Sequence, residues 1–141
     1  MPLDKTKYDA LIDGICKIFV TVFGTNIILV EKQVAIEHMG FFKLVYKYFP
    51  LEYDLVLESD RDVFSIQIYD KEGANNNLYR IEKYNSITTI ENVKYAIQML
   101  QSILEKNNFC LYITRDDKLY RKRNNQYERV KDWKELLGNK D

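Results

Sequence analysis

The side chains able to do chemistry are few: one histidine, His38, and two cysteines, Cys16 and Cys110. A metal site needs three or four N, O or S donors at short, regular spacing. His38 stands before Met39-Gly40 with no His, Cys or acid at such a spacing. A general base needs a partner that fixes its tautomer, and none is identifiable beside it. Cys16 falls within an apolar helical pattern and Cys110 within an apolar strand pattern, which reads as two reduced, structural thiols. The glycines, Gly14, Gly24, Gly40, Gly73 and Gly138, assemble neither a dinucleotide fingerprint nor a phosphate-binding loop. No Gly-x-Ser-x-Gly elbow is present. Asp116-x-Lys118 and Asp132-x-Lys134 have the Asp-x-Lys form of metal-dependent nucleases, but one falls in a turn and the other at a helix cap, where acids have local uses. A non-enzymatic chain without metal or cofactor is expected.

Charge gives more. The 141 residues carry 21 Lys+Arg and 21 Asp+Glu, which excludes a polyelectrolyte tail or a supercharged nucleic-acid binder. The zero is a sum of opposites: residues 1–114 have a net charge of −3 and residues 115–141 of +3. The acidic candidates are Glu52, Asp54, Glu58, Asp60 and Asp62, with Tyr53 and Tyr69 as aromatic anchors for a protein partner. The basic candidates are Lys118, Tyr120, Arg121, Lys122, Arg123, Tyr127 and Arg129, a basic run extended by Lys131, Trp133 and Lys134. Cations interleaved with aromatics suit a surface that tracks phosphates and stacks bases. Tyrosine, with 11 copies, is enriched for a chain with 7 Phe and 1 Trp, as at many protein interfaces.

The elements that must carry these residues follow from periodicity. Leu11, Ile15, Ile18 and Val22, beside Ile12, Cys16, Phe19 and Phe23, form a wide apolar helical face capped by Asp4 and closed by Gly24. β-branched and aromatic residues then dominate. Ile27 to Lys32 is one strand, with Gln33 to His38 its continuation or a hairpin return; Phe41 to Phe49 is the next, ended by Pro50. Leu51, Tyr53, Leu55 and Leu57 alternate with Glu52, Asp54, Val56 and Glu58. After a turn at Asp60-Arg61-Asp62, Phe64, Ile66 and Ile68 line another strand. Residues 71–77 read as an exposed loop and Leu78 to Tyr84 as a returning strand. Thr88-Thr89-Ile90-Glu91 fits a capping box led by Thr88, opening a helix striped with Ile90, Val93, Ile97, Leu100 and Leu104. Phe109 to Thr114, Leu119 to Arg123 and Gln126 to Val130 are hairpin strands, and Asp132-Trp133-Lys134-Glu135 opens a short helix to Leu137.

The expected architecture is therefore one α+β domain over residues 1–141, in the order α-β(4–6)-α-β(2–3)-short α. An antiparallel sheet of about six to eight strands carries two long helices on one face. The longest apolar-rich stretch, Ile15 to Val30, is 16 residues with Lys17, Gly24 and Asn26 inside it, short of a bilayer span. Asp4, Asp9 and Asp13 interrupt any signal-peptide core, so a cytoplasmic location without membrane contact is expected. Lys/Asn/Ile/Tyr-rich usage suggests an AT-rich bacterial or phage source. These features suggest a small protein-binding protein, such as an immunity protein or other toxin inhibitor acting through its acidic, tyrosine-rich sheet. A secretion-chaperone-like homodimer and nucleic-acid binding through residues 118–134 are the alternatives.

Overall fold

The structure is a computed structural model that describes residues 5–131. Its α+β architecture follows from one constraint, the burial of a single sheet face. Helix α1 spans Lys5–Phe23 and turns through the 3-10 segment Gly24–Asn26 into β1, Ile27–Ala35. Strands β2 (Phe41–Tyr48), β3 (Tyr53–Asp60) and β4 (Val63–Tyr69) follow, then the short β5, Asn75–Asn77. Two helices, α2 (Leu78–Ile81) and α3 (Ile90–Lys106), precede β6 (Leu111–Arg115), β7 (Lys118–Arg123) and β8 (Gln126–Arg129). The eight strands make one antiparallel sheet whose spatial order is the chain order, β1 to β8.

Alternation decides which residues meet the helices, since successive side chains point to opposite faces. In register, Leu44, Leu57 and Ile66 form one row, and Tyr46, Leu55 and Ile68 the next. All six are buried, as are Phe42 and Phe64. From above come Ile12, Ile15, Phe19 and Phe23 of α1 and Val93, Ala96, Ile97, Leu100 and Leu104 of α3. Phe19 stacks on Tyr46 with ring centroids 4.2 Å apart, and Phe23 meets Tyr48 edge-on at 5.6 Å. Each such side chain contributes roughly 1.5–3 kcal/mol by leaving water. α1 and α3 lie side by side and parallel. A Cβ on Gly14 would come within 2.9 Å of Ile90 Cδ1, and at the other end Gln101 Nε2 donates to the Val22 carbonyl at 2.9 Å, satisfying one orphan group of the α1 terminus.

Several local expectations change. Residues 33–35 continue β1, and His38 sits in the turn that follows, with His38 N–H bonded to Ala35 O at 2.9 Å. Asn75–Asn77 is a strand rather than loop, and the expected strand from Leu78 to Tyr84 is instead the single turn of α2. The cause is Asn77, whose side chain accepts from Tyr79 N–H at 2.8 Å and so starts a helix. The cap of α3 is Thr89, which accepts from Asn92 N–H at 3.2 Å, so Glu91 falls one position short of a capping box. Thr88 is engaged elsewhere, with its hydroxyl 2.8 Å from Ser59 Oγ, which lies in the row of Phe42 and Phe64 on the helix-covered face. The Asp4 cap and the short helix from Asp132 lie outside the described residues.

The two-residue turns at Arg61-Asp62, Asp116-Asp117 and Asn124-Asn125 each place both residues at positive φ, as type I′ hairpins require. Gly40 at φ +74° is more constrained, because an added Cβ would lie 2.5 Å from the Tyr8 hydroxyl, which donates to Asp62 Oδ1 at 2.9 Å. Gly24, at φ +59°, has open space around it. Gly24→Ala should therefore cost only backbone strain, about 1 kcal/mol, whereas Gly40→Ala should cost about 2–4 kcal/mol by displacing Tyr8 as well. Thermal or urea denaturation of the two variants checks this, and equal losses would refute the Tyr8 contact as a constraint.

Candidate functional site

The acidic candidates do not form a uniform negative field. Asp54 and Glu58 point away from the helices, as expected, but register places Lys47 directly opposite Asp54 and Lys43 opposite Glu58. Glu52 is ion-paired to Lys71 at 2.7 Å, and this bond lowers its pKa. Asp62 is taken by the Tyr8 hydroxyl, while its carbonyl accepts from Thr88 N–H at 2.8 Å. Asp60 is exposed at the end of β3 opposite Val63. Tyr53 and Tyr69 lie on opposite faces. Tyr69 stands across from Asp54 on the outer face, and Tyr53 faces the helices, edge-on to Phe109 at 6.3 Å.

The basic hairpin divides in the same way. Lys118, Tyr120, Lys122, Tyr127 and Arg129 share the face of Leu111 and Ile113, which pack into the main core. Arg121 and Arg123 point to the other face, where Arg121 is ion-paired to Glu128. Cross-strand register therefore separates residues that look contiguous along the chain.

Members of both sets come together in one cleft of about 640 Å³ between the meander and the hairpin. Glu52 and Tyr53 line it from one side and Lys122, Arg123 and Tyr127 from the other, with Phe109 and Leu111 in its lining. At its centre Lys122 Nζ lies 2.6 Å from Asp70 Oδ2 and 2.5 Å from Glu72 Oε1. Tyr127 donates its hydroxyl to the same Glu72 oxygen. Arg115 Nη2 donates to Glu72 Oε2 at 3.1 Å, and its guanidinium lies 4.8 Å from the Tyr127 ring centroid. The loop itself is shaped by Asp70, whose Oδ1 accepts from Glu72 N–H and Ala74 N–H, each at 2.9 Å. Asp70, Glu72 and Arg115 were not among the sequence candidates. An Asp followed by Lys-Glu-Gly is the one local signal for this loop, since such an Asp bonds its own backbone two residues on.

These charges satisfy one another. Hydrogen bonds from Lys122 and then Tyr127 hold the Glu72 carboxyl down at about 2. Burial works against the charge on Lys122, but the bonds to Asp70 and Glu72 outweigh it and its pKa rises. Neither group is poised to exchange a proton near neutral pH. His38 is exposed, with Nε2 4.0 Å from Glu37 Oε1. Cys16 lies beside the buried Tyr46 hydroxyl, and both cysteines are free. Among the described residues, no three His, Cys, Asp or Glu side chains gather as a metal site, and no helix is long and apolar enough to cross a membrane.

The other candidate is the sheet margin. β1 is an edge strand of nine residues, exposed along most of its length. Ile28, Leu29, Val30 and Val34 are exposed along it, with Met39 and Phe49 beyond its ends and Val20 on α1. Comparison with protein-family models, curated proteins and solved structures finds no match for the chain.

Because the pKa of Glu72 is lowered from its ordinary 4.5 to about 2, its bonds stabilise the fold fully above pH 4.5, and that stabilisation is lost as pH falls towards 2. Wild type and Glu72→Gln should differ in stability near neutral pH and converge in acid. Urea denaturation at a series of pH values measures this, and a constant difference across the range would contradict it.

Proposed function

We propose that this protein is a protein-binding module and that its apolar contact is the β1 margin. The carrying observation is the exposure of Ile28 at 53%, Val30 at 56% and Phe49 at 49% on or beside a sheet edge that no other described strand pairs. Single exposed apolar residues are ordinary, but their concentration along an edge strand marks an interaction surface. Such an edge can accept an extended segment through its backbone while neighbouring pockets read side chains. A bulge between Leu29 and Glu31, followed by Glu31 and Lys32, interrupts the edge. Bulges and charges blunt strand pairing, so Ile28 and Leu29 are the part able to pair, and Val30, the bulged residue, adds an exposed apolar side chain beside them.

Within this class, a bacterial, cytoplasmic immunity protein or toxin inhibitor is the specific role we favour. The outer face supports it by running from the apolar edge to Asp54, Glu58, Asp60 and Tyr69, which supply polar contacts at the rim. The facing Lys43 and Lys47 weaken the long-range attraction that a wholly acidic surface would exert. A secretion-chaperone-like homodimer uses the same edge with a second copy as partner, and light scattering separates the two. Nucleic-acid binding has less support, because Lys122, Arg121 and Arg115 already hold carboxylates and counterion release requires cations free to meet phosphates.

Affinity purification from source cells with wild type, Ile28→Lys/Val30→Lys and an Asp54/Glu58/Asp60 charge reversal tests this reading. All three should fold with similar melting temperatures, since the substituted positions are exposed or at strand surfaces. The β1 variant should lose the specific partner, by about tenfold or more in recovery, and the charge reversal should weaken it less. Equal recovery by wild type and the β1 variant would sink the assignment.

A further inference from the structure

The strands of the sheet are joined unevenly. β2 with β3 and β3 with β4 each share seven paired residues, whereas β5 meets β6 at the single pair Asn75 and Tyr112. Beyond this seam the sheet recovers, with five pairs between β6 and β7 and four between β7 and β8. The three strands also have an apolar cluster of their own, Tyr112, Leu119 and Val130 with Cys110 against it. Lys122 Nζ bridges the seam to Asp70 and Glu72, with side-chain exposures of 12% for the lysine and 9% for Asp70. Arg115 and Tyr127 add to Glu72, and Asn76 Nδ2 donates to the Cys110 carbonyl at 2.9 Å.

The geometry points to a latched seam: β6–β8 opens from the five-stranded meander as one cooperative unit, with Lys122 held between Asp70 and Glu72 as the latch. Proteins open in contiguous units whose stability reflects the contacts each makes with the rest. Here the backbone contributes one ladder pair, so the side chains across the cleft decide how often the unit leaves. Leu111 and Ile113 reach into the main core and keep the open state a minor one. Opening uncovers Tyr53, Phe109 and Leu111, which line the cleft.

Hydrogen exchange on the full chain tests this by comparing ladder amides of β6–β8 with those of β2–β4. In wild type the first set should exchange about tenfold or more faster. Glu72→Gln should accelerate the β6–β8 set by a further factor of about three and Lys122→Met by about ten or more, with the β2–β4 set unchanged. The milder Glu72→Gln keeps the test decisive if Lys122→Met does not fold. Equal wild-type rates in the two sets, or variants that move both sets alike or neither, would overturn the seam.

Discussion

Everything in this molecule depends on covering one face of a meandering sheet. Leu44, Leu57 and Ile66 in one row and Tyr46, Leu55 and Ile68 in the next are an apolar surface that no strand can bury for another in the same plane. α1 and α3 solve that problem together, and their closeness at Gly14 and Ile90 shows how tightly the pair must fit. Once that face is inward, alternation fixes the direction of every other side chain. Asp54, Glu58 and Tyr69 have to point outward, and Tyr53 has to point towards Phe109. The margin at β1 remains exposed because, among the described residues, the first strand has a strand neighbour on one side only.

Several of the opposite charges that balance in the sequence meet in the fold. Charges far apart in sequence, such as Lys122 and Asp70, 52 residues apart, or Arg115 and Glu72, 43 apart, are brought within bonding distance by the fold. Glu52 with Lys71 and Arg121 with Glu128 do the same over shorter spans. The exposed ones, such as Glu52 with Lys71, add little stability individually, whereas Lys122 and Asp70 are largely shielded from solvent. Their arrangement matters more than their number, since those around Glu72 join two parts of the sheet that the backbone barely connects.

The long helices and β2–β4 were legible because their apolar repeats extend over many residues, so that errors of one position are outvoted. The α+β class and the antiparallel sheet with helices on one face followed from those elements alone. Short segments were not legible in the same way. Asn77 converted an expected strand into a turn of helix through one side-chain bond, and Thr88 yielded the cap to Thr89 because Ser59, far away in sequence, engaged its hydroxyl. The cleft was hidden for a related reason. Glu52, Tyr53, Lys122 and Tyr127 were recognisable as candidates from their types, but their meeting depends on strand register; Glu72 read as part of an exposed loop, and nothing in the sequence marked Asp70 as the other partner of Lys122.

The identity of strand order and chain order has a further consequence for how the molecule is made. As the chain leaves the ribosome, each of β2, β3 and β4 finds its partner in the strand just synthesised, and such local pairings form without closing long loops. The helices impose the opposite schedule. α1 emerges before the strands, yet the neighbour it packs against, α3, follows only after the whole meander. During that interval Phe42, Leu44 and Tyr46 have half their cover, a state in which apolar strands associate with other chains. Completion of α3, rather than pairing of the strands, is thus the step that closes the core of the nascent protein.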